Sequence, residues 1–267
     1  MNDDILDEIA QYSKRFLLIR HKFKNKLNMT IIEDTSGISM QIQDIHKSYV
    51  RNVGFFIRAE VGNAPILLNA GKTTNFIYKV EGVDKEQLEE INAIDTRNKI
   101  KDRMTKIKEC GGKITFSRMS NVGFKRNLIM IDSRMPEILA YMLLYSYDED
   151  IKECKTLVEL AGKRDPLGYE YSAMYEYKFK KFLCSCALGM KSVKQWDGLD
   201  EVNGGYIIVK ADGEVFVYHI YNHNVFEQYL IDNTVCERAS TTRYEYMNLY
   251  EEGGEIYIKM NLQVSFK

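Results

Sequence analysis

Gly37-Ile38-Ser39-Met40-Gln41-Ile42-Gln43 alternates apolar with polar residues, the pattern of a strand buried on one face only. A polar connection follows, then Val53-Gly54-Phe55-Phe56-Ile57-Arg58-Ala59-Glu60-Val61, a more continuously apolar strand that Gly62 and Pro65 bring to an end. Together the two runs predict a β-hairpin.

Upstream of the hairpin, Ile5, Ile9, Tyr12 and Phe16 recur at helical spacing, and this helix runs into the basic stretch Arg20 to Lys26. That stretch suits either a solvated helix end or a phosphate contact. Downstream, Asp84 and Gln87 have the spacing of a capping box, followed by helical periodicity to Gly111-Gly112 with a break near Asp95-Thr96. Lys99, Lys101, Arg103, Lys106, Lys108, Lys113, Arg118, Lys125 and Arg126 make this the densest cationic region, and an electropositive face is expected there. Pro136 suits the first turn of a helix whose residues Ile138 to Leu144 are apolar all round, as in a buried helix. A further helix over 172–189 carries Lys178, Lys180 and Lys181, and its exposed side is expected to be basic.

The last third is strand-rich. Residues 206–211 and 214–220 flank Asp212-Gly213, a two-residue connection that favours a tight hairpin. Ile256, Ile258, Met260, Leu262, Val264 and Phe266 alternate with polar or amphipathic residues in a final strand. The fold class is therefore mixed α/β, a central sheet flanked by helices with a strand-rich C-terminal half. The expected division is residues 1–135, a core with the N-terminal helix and hairpin, and 136–267, an α+β half packed with it as one unit.

Composition narrows function. The net charge of −1 over 267 residues requires any nucleic-acid contact to come from a local basic surface. Five cysteines without a CxxC unit argue against a disulfide framework or zinc ribbon, and predict buried or half-buried thiols in a reducing compartment. No apolar leader or membrane-length run is present, so a cytoplasmic location is expected. P-loop, Rossmann, HExxH and GxSxG patterns are absent as well. Two constellations remain: Tyr218-His219-Ile220-Tyr221-Asn222-His223, where His219 suits a structural histidine as well as a ligand or base, and the hairpin between Gly37 and Glu60.

Gly54 to Gly62, Leu67-Leu68-Asn69-Ala70 and Thr74-Asn75-Phe76-Ile77-Tyr78 resemble the HpaII family of type II restriction endonucleases. The likeness continues through Trp196-Asp197-Gly198, Gly204 to Lys210, Asp212-Gly213-Glu214, Tyr218 to Asn222, Ala239 to Tyr244 and Tyr257 to Gln263, so it covers roughly residues 34 to 267. The resemblance implies a PD-(D/E)XK nuclease fold and magnesium-dependent cleavage within a short palindrome of double-stranded DNA, CCGG for the name-giving enzyme. In such a centre carboxylates hold the metal and a lysine stabilises developing charge.

The family pattern reads Gly-Phe-Ser-Ile-Lys-Ser on the second strand, so its lysine corresponds to Arg58 and its serine to Phe56. Its strand-head acid corresponds to Gly37. Asp34, Asp44 and Glu60 are nearby carboxylates, and Asp44 and Glu60 with Arg58 form the candidate catalytic set, the two acids being the candidate magnesium ligands. Both acids would equally serve as solvated strand-end charges. Family members carry a longer acidic N-terminal region, for which this chain offers its opening helix with Asp7 and Glu8.

For DNA, Arg243 and Arg238 are the candidates for reading guanine, because a guanidinium pairs with O6 and N7 together, although either would equally form a surface salt bridge. Lys178, Lys180, Arg118 and Lys125 are the candidates for phosphate. The strand-rich half is expected to complete the DNA-binding cleft. A homodimer and a companion methyltransferase protecting the same site, without needing to be bound, are the further partners. Three functions follow: an active endonuclease, a DNA-binding protein with this fold but no cleavage, or a decayed remnant.

Overall fold

The computed structural model describes residues 31–34, 37–44, 49–59, 65–202, 204–209, 215–219, 223–238 and 246–267. They fall into two compact units, each discontinuous in sequence: Met1–Asn63 with Glu201–His223, and Ala64–Asp200 with Asn224–Lys267. The boundary expected at residues 135 and 136 is not where either unit divides. The reason is strand pairing, which joins segments distant in the chain.

In the first unit the sheet order is β1-β2-β3-β7-β8, formed by β1 (Ile31–Asp34), β2 (Gly37–Asp44), β3 (Tyr49–Ala59), β7 (Gly205–Val209) and β8 (Val215–His219). The expected hairpin is β2-β3, antiparallel from Ile38↔Phe55 to Asp44↔Tyr49. β7 then adds to β3 in parallel, and β8 to β7 antiparallel, the strand pairing expected there. The register from Gly205↔His219 to Val209↔Val215 is centred on residue 212 rather than between 212 and 213, and the expected Asp212-Gly213 connection itself lies outside the described residues. Phe55, Phe56 and Tyr206 are buried, which fits the unbroken apolar character of this part of the sequence.

The second unit is organised around β11 (Glu255–Phe266), which pairs antiparallel with β4 (Ile66–Leu68), β5 (Asn75–Glu81), β9 (Thr234–Arg238) and β10 (Tyr250–Glu252). On its other side β5 pairs with β6 (Lys113–Met119). The alternating apolar residues of β11 are all buried, as expected. Its polar face contributes one fully buried group: Asn261 Nδ2 donates to Gly71 O at 2.7 Å, Thr74 Oγ1 at 3.0 Å and Asn75 Oδ1 at 2.6 Å, tying β11 to the 3-10 turn Lys72–Thr74 that opens β5.

Seven helices among the described residues complete the picture: α1 (Lys85–Asn92), α2 (Lys99–Glu109), α3 (Val122–Ile131), α4 (Met135–Asp148), α5 (Cys154–Arg164), α6 (Ala173–Ala187) and α7 (His223–Asp232). The Asp84–Gln87 capping box starts α1, and the chain breaks between α1 and α2 where Asp95-Thr96 indicated. Pro136 stands in the first turn of α4, whose Ile138, Leu139, Ala140, Met142 and Leu143 are buried; Tyr78 reaches in to donate to Ala140 O at 2.7 Å. None of the described helices is long and apolar enough to cross a membrane. The helix expected over Ile5 to Phe16 and the basic stretch Arg20 to Lys26 lie outside the described residues.

Candidate functional site

Two stretches far apart in sequence meet on the first unit's sheet. One row across it runs Ile38, Phe55, Gly205, His219; the next contains Phe56, Tyr206 and Tyr218; a third contains Arg58, Ile208 and Phe216. Gly205, at φ +141°, adopts a backbone that disfavours side-chain-bearing residues, and the preceding Gly204 N–H donates to Gly54 O at 2.7 Å. This junction seats β7 on β3. The hairpin and the His219 segment, two separate constellations in the sequence, therefore belong to one sheet.

The register also sorts the acids. Asp34 pairs with Gly37 across β1-β2, and continuing the β2-β3 register one step past Ile38↔Phe55 sets Gly37 beside Phe56. Asp44, in contrast, pairs with Tyr49. Tyr49 and Arg58 lie at opposite ends of β3, nine residues or roughly 30 Å of strand apart at ~3.3 Å per residue. The structure thus does not bring Asp44 to Arg58, because an antiparallel partner at the hairpin's turn end is remote from its open end. Asp34, rather than Asp44, is the acid held beside the Gly37 position. Glu60 lies outside the described residues.

Magnesium requires hard oxygen donors. The described part of the hairpin contributes no such set: glycine stands where the family acid is expected, and Asp44 is at the wrong end. One group of three donors does occur among the described residues, Cys184 on α6 with His223 and Glu227, a turn apart on α7, their ligand atoms all within 4.8 Å of one another. A thiol and an imidazole suit zinc or another transition metal, not magnesium. Burial, reinforced by Glu227, pushes the Cys184 thiol up to about 12, and Glu227 already accepts from Lys181 Nζ at 2.6 Å.

The expected phosphate contacts separate clearly. Lys178 is only 16% exposed, paired with Asp132 and set over the Tyr169 ring at 5.3 Å. Lys180, 17% exposed, pairs with Glu176 at 2.5 Å and donates to Gln228 at 2.8 Å. The expected basic exposed side of α6 is therefore corrected: its lysines are satisfied within the fold, and Tyr177 is its large exposed side chain. Arg118 pairs with Glu252 and lies over Tyr257 at 4.9 Å. Lys125, on α3, is exposed. Arg238 ends β9, its backbone paired with Leu262, and Arg243 lies outside the described residues.

The broad electropositive face expected from Lys99 to Arg126 is likewise thinned by acids from elsewhere. Lys99 pairs with Asp95, Lys106 with Glu90 and Lys108 with Asp148. Arg103 is buried, donating to Asn92 O at 2.7 Å, Ile94 O at 3.0 Å, Met247 O at 3.3 Å and Asn248 Oδ1, and burial lowers its pKa. It is a structural clamp rather than a surface charge. Lys101, Lys113, Lys125 and Arg126 remain exposed.

A residue the sequence reading passed over proves central to this surface. Asn127, fully buried, donates through Nδ2 to Lys191 O at 3.0 Å and Lys194 O at 2.8 Å, and accepts from Trp196 N at 3.0 Å. An asparagine between the outward Arg126 and the inward Leu128 was the available signal, since a polar residue on a helix's inner face needs a partner. Trp196-Asp197-Gly198, part of the resemblance, belongs to the segment so held.

Comparison with known proteins agrees with the resemblance. The model of the HpaII restriction endonuclease family matches residues 1–266. A type II restriction enzyme HpaII from Haemophilus parainfluenzae is 35% identical over 251 residues, covering 91% of this chain and 69% of that enzyme. No solved structure matches.

Proposed function

Because this chain belongs to the HpaII restriction endonuclease family, we propose that it binds duplex DNA at a short palindromic, CCGG-like site and that its phosphodiester cleavage is lost or severely reduced. The observation that carries the second half is the hairpin register. Ile38 pairs with Phe55, and extending that register by one step would bring together Gly37 and Phe56, the positions that match the family's acid and serine, with Arg58 two residues further along the same strand. In an intact centre, carboxylate-held magnesium polarises the phosphate and lowers the pKa of an attacking water. The positions that match the family's motif do not supply the donors that ion needs. Glycine offers no ligand, Phe56 is a buried ring where the family has a small hydroxyl, and the planar fork of Arg58 replaces a compact ammonium.

In this reading Arg243 and Arg238 read guanine, Lys125 contacts phosphate, and Lys178, Lys180 and Arg118 serve chiefly to hold the fold. A homodimer would match the symmetry of a palindrome. A companion methyltransferase acting on the same site is required only if the chain cuts.

One observation favours the rival reading of retained cleavage: Asp34 pairs with Gly37 and so stands where a relocated ligand would be needed. Incubating supercoiled plasmid with the purified chain and magnesium separates the two. Absence of cutting, together with a gel shift on a CCGG duplex that a scrambled duplex does not compete, is the expected result. Site-specific cutting that Asp34→Ala abolishes would replace the non-cleaving reading with the rival.

A further inference from the structure

We propose that the outward face of α3, with the 191–199 segment fixed to its side, is the surface by which this chain grips the backbone of duplex DNA; the proposal rests on the DNA-binding reading above. Val122, Lys125, Arg126, Ile129 and Met130 fall at successive helical positions i, i+3, i+4, i+7 and i+8, and all five are exposed, whereas Phe124, Asn127 and Leu128 are buried. An ordinary solvated helix face carries polar residues on such a stripe. This one carries three large apolar residues around two cations, with Val122 60% exposed.

The 191–199 segment extends the same surface and is held at both ends. Asn127 binds the backbone of Lys191, Lys194 and Trp196, Thr73 Oγ1 donates to Ser192 Oγ at 3.0 Å, and Trp196 Nε1 donates to Leu199 O at 2.8 Å. Gly198, at φ +85°, lies so close to Met130 that a Cβ there would sit 3.1 Å from the methionine methyl. What this frame presents outward is again apolar and cationic: Val193 at 79% exposure, Leu199 at 69%, and Lys194.

Charge selects the occupant. Lys178, Lys180, Lys181 and Arg118 each meet a carboxylate, whereas among the described residues no acid forms an ion pair with Lys72, Lys125, Arg126 or Lys194. Asp197 is the acid of the segment, with Asp200 just beyond it, and Asp197 Oδ1 already accepts from Leu199 N at 3.0 Å. A second copy docking face to face would set Lys125 and Arg126 against themselves across the two-fold, since an isologous contact is self-complementary. A polyanion instead neutralises them, while the flanking apolar side chains pack on deoxyribose or wedge at base edges, as groove-binding proteins do.

The test is a titration of a fluorescent CCGG duplex at several salt concentrations, using the full chain and its Lys125→Ala/Arg126→Ala/Lys194→Ala variant. Loss of three phosphate contacts predicts a log-log salt slope shallower by about 2–3 and an affinity at least about tenfold weaker at ~100 mM salt. Lys101→Ala/Lys113→Ala, equally exposed cations elsewhere, should change affinity less than about twofold. Since all the substituted side chains are exposed, matching circular dichroism is expected, and a Lys125→Glu/Arg126→Glu chain should repel DNA more strongly still. Wild-type binding with an unchanged slope in the triple variant would overturn this inference alone. Failure of the wild type to bind any duplex would overturn the DNA-binding reading beneath it. A wild-type dimer that the triple variant loses without DNA would assign the surface to self-association instead.

Discussion

Asn127 Nδ2 lies 2.8 Å from the carbonyl oxygen of Lys194, so a side chain from the inner face of one helix fixes a loop that runs past it. Replacing Asn127 with alanine leaves two carbonyls and one N–H without their partner. The expected cost is about 1–3 kcal/mol of unfolding free energy, read as a lowered denaturant midpoint, with new protease sensitivity confined to residues 191–199. A variant of unchanged stability and unchanged cleavage pattern would remove the loop-anchoring role.

The hairpin prediction concerns restored chemistry. A Gly37→Asp/Phe56→Ser/Arg58→Lys chain should gain magnesium-dependent plasmid cutting over the wild type, because it restores the ligand, the small neighbour and the compact ammonium together. Adding Asp34→Ala to that chain should leave the gained activity in place. If the wild type cuts as well as the triple variant, Gly37 and Arg58 are compatible with catalysis.

Arg103 supplies a third. Its guanidinium closes three backbone carbonyls from residues 92, 94 and 247. Arg103→Met keeps much of the stem but leaves those acceptors bare, so a loss of roughly 3 kcal/mol or more is expected by urea unfolding. DNA affinity of the folded fraction should be unchanged, in contrast to the exposed cations of α3.

A fourth prediction follows from Asp165, which ends α5 in a left-handed conformation at φ +45°. Its carboxylate accepts from Glu170 N, the Tyr175 hydroxyl and Tyr169 N, each at 2.8 Å, and these bonds hold its pKa below the ordinary value. A depressed carboxylate stabilises the fold above its unfolded pKa of about 4, and that contribution disappears as pH falls through the lower folded value. The Tm difference between wild type and Asp165→Asn should therefore be constant from pH 5 to 7 and shrink below about pH 4. A pH-independent difference would show that geometry rather than charge matters at this turn.

The fifth uses the thiols. Cys110 is half-buried while Cys154, Cys184, Cys186 and Cys236 are buried, with Cys184 and Cys236 raised in pKa. A chromogenic disulfide reagent at pH 8 should react with one thiol quickly and with the remaining four only in denaturant. Two or more fast thiols would contradict the packing around α6.

What could be read in the sequence was local. The β2-β3 hairpin, the Asp84 cap and the alternation of β11 each follow from neighbouring residues whose spacing has one structural solution. The charge surface was not legible, because its partners are distant: Lys178 is answered by Asp132, 46 residues away, and Arg118 by Glu252, 134 residues away. Nor was the division into units, since nothing in Gly205 to Val209 announces a parallel partner in Phe55 to Ala59. At the candidate centre, alternation identified the strands but not the register, and register is what separates Asp34 from Asp44.

The parallel pairing of β3 with β7 also bears on how this chain survives its own synthesis. From Ala59 to Gly205 the ribosome adds 146 residues, which at about 5–20 residues per second takes roughly 7–30 s. Throughout that interval β3 has a partner on one side only, and its open edge runs beside Phe55 and Phe56, rings that end up buried. An unpaired apolar edge is a template for pairing with another nascent chain. Dense polysomes and fast translation are thus conditions under which this protein should accumulate as inclusion bodies. Slower synthesis at low temperature, or a chaperone that covers the hairpin, should raise the soluble yield.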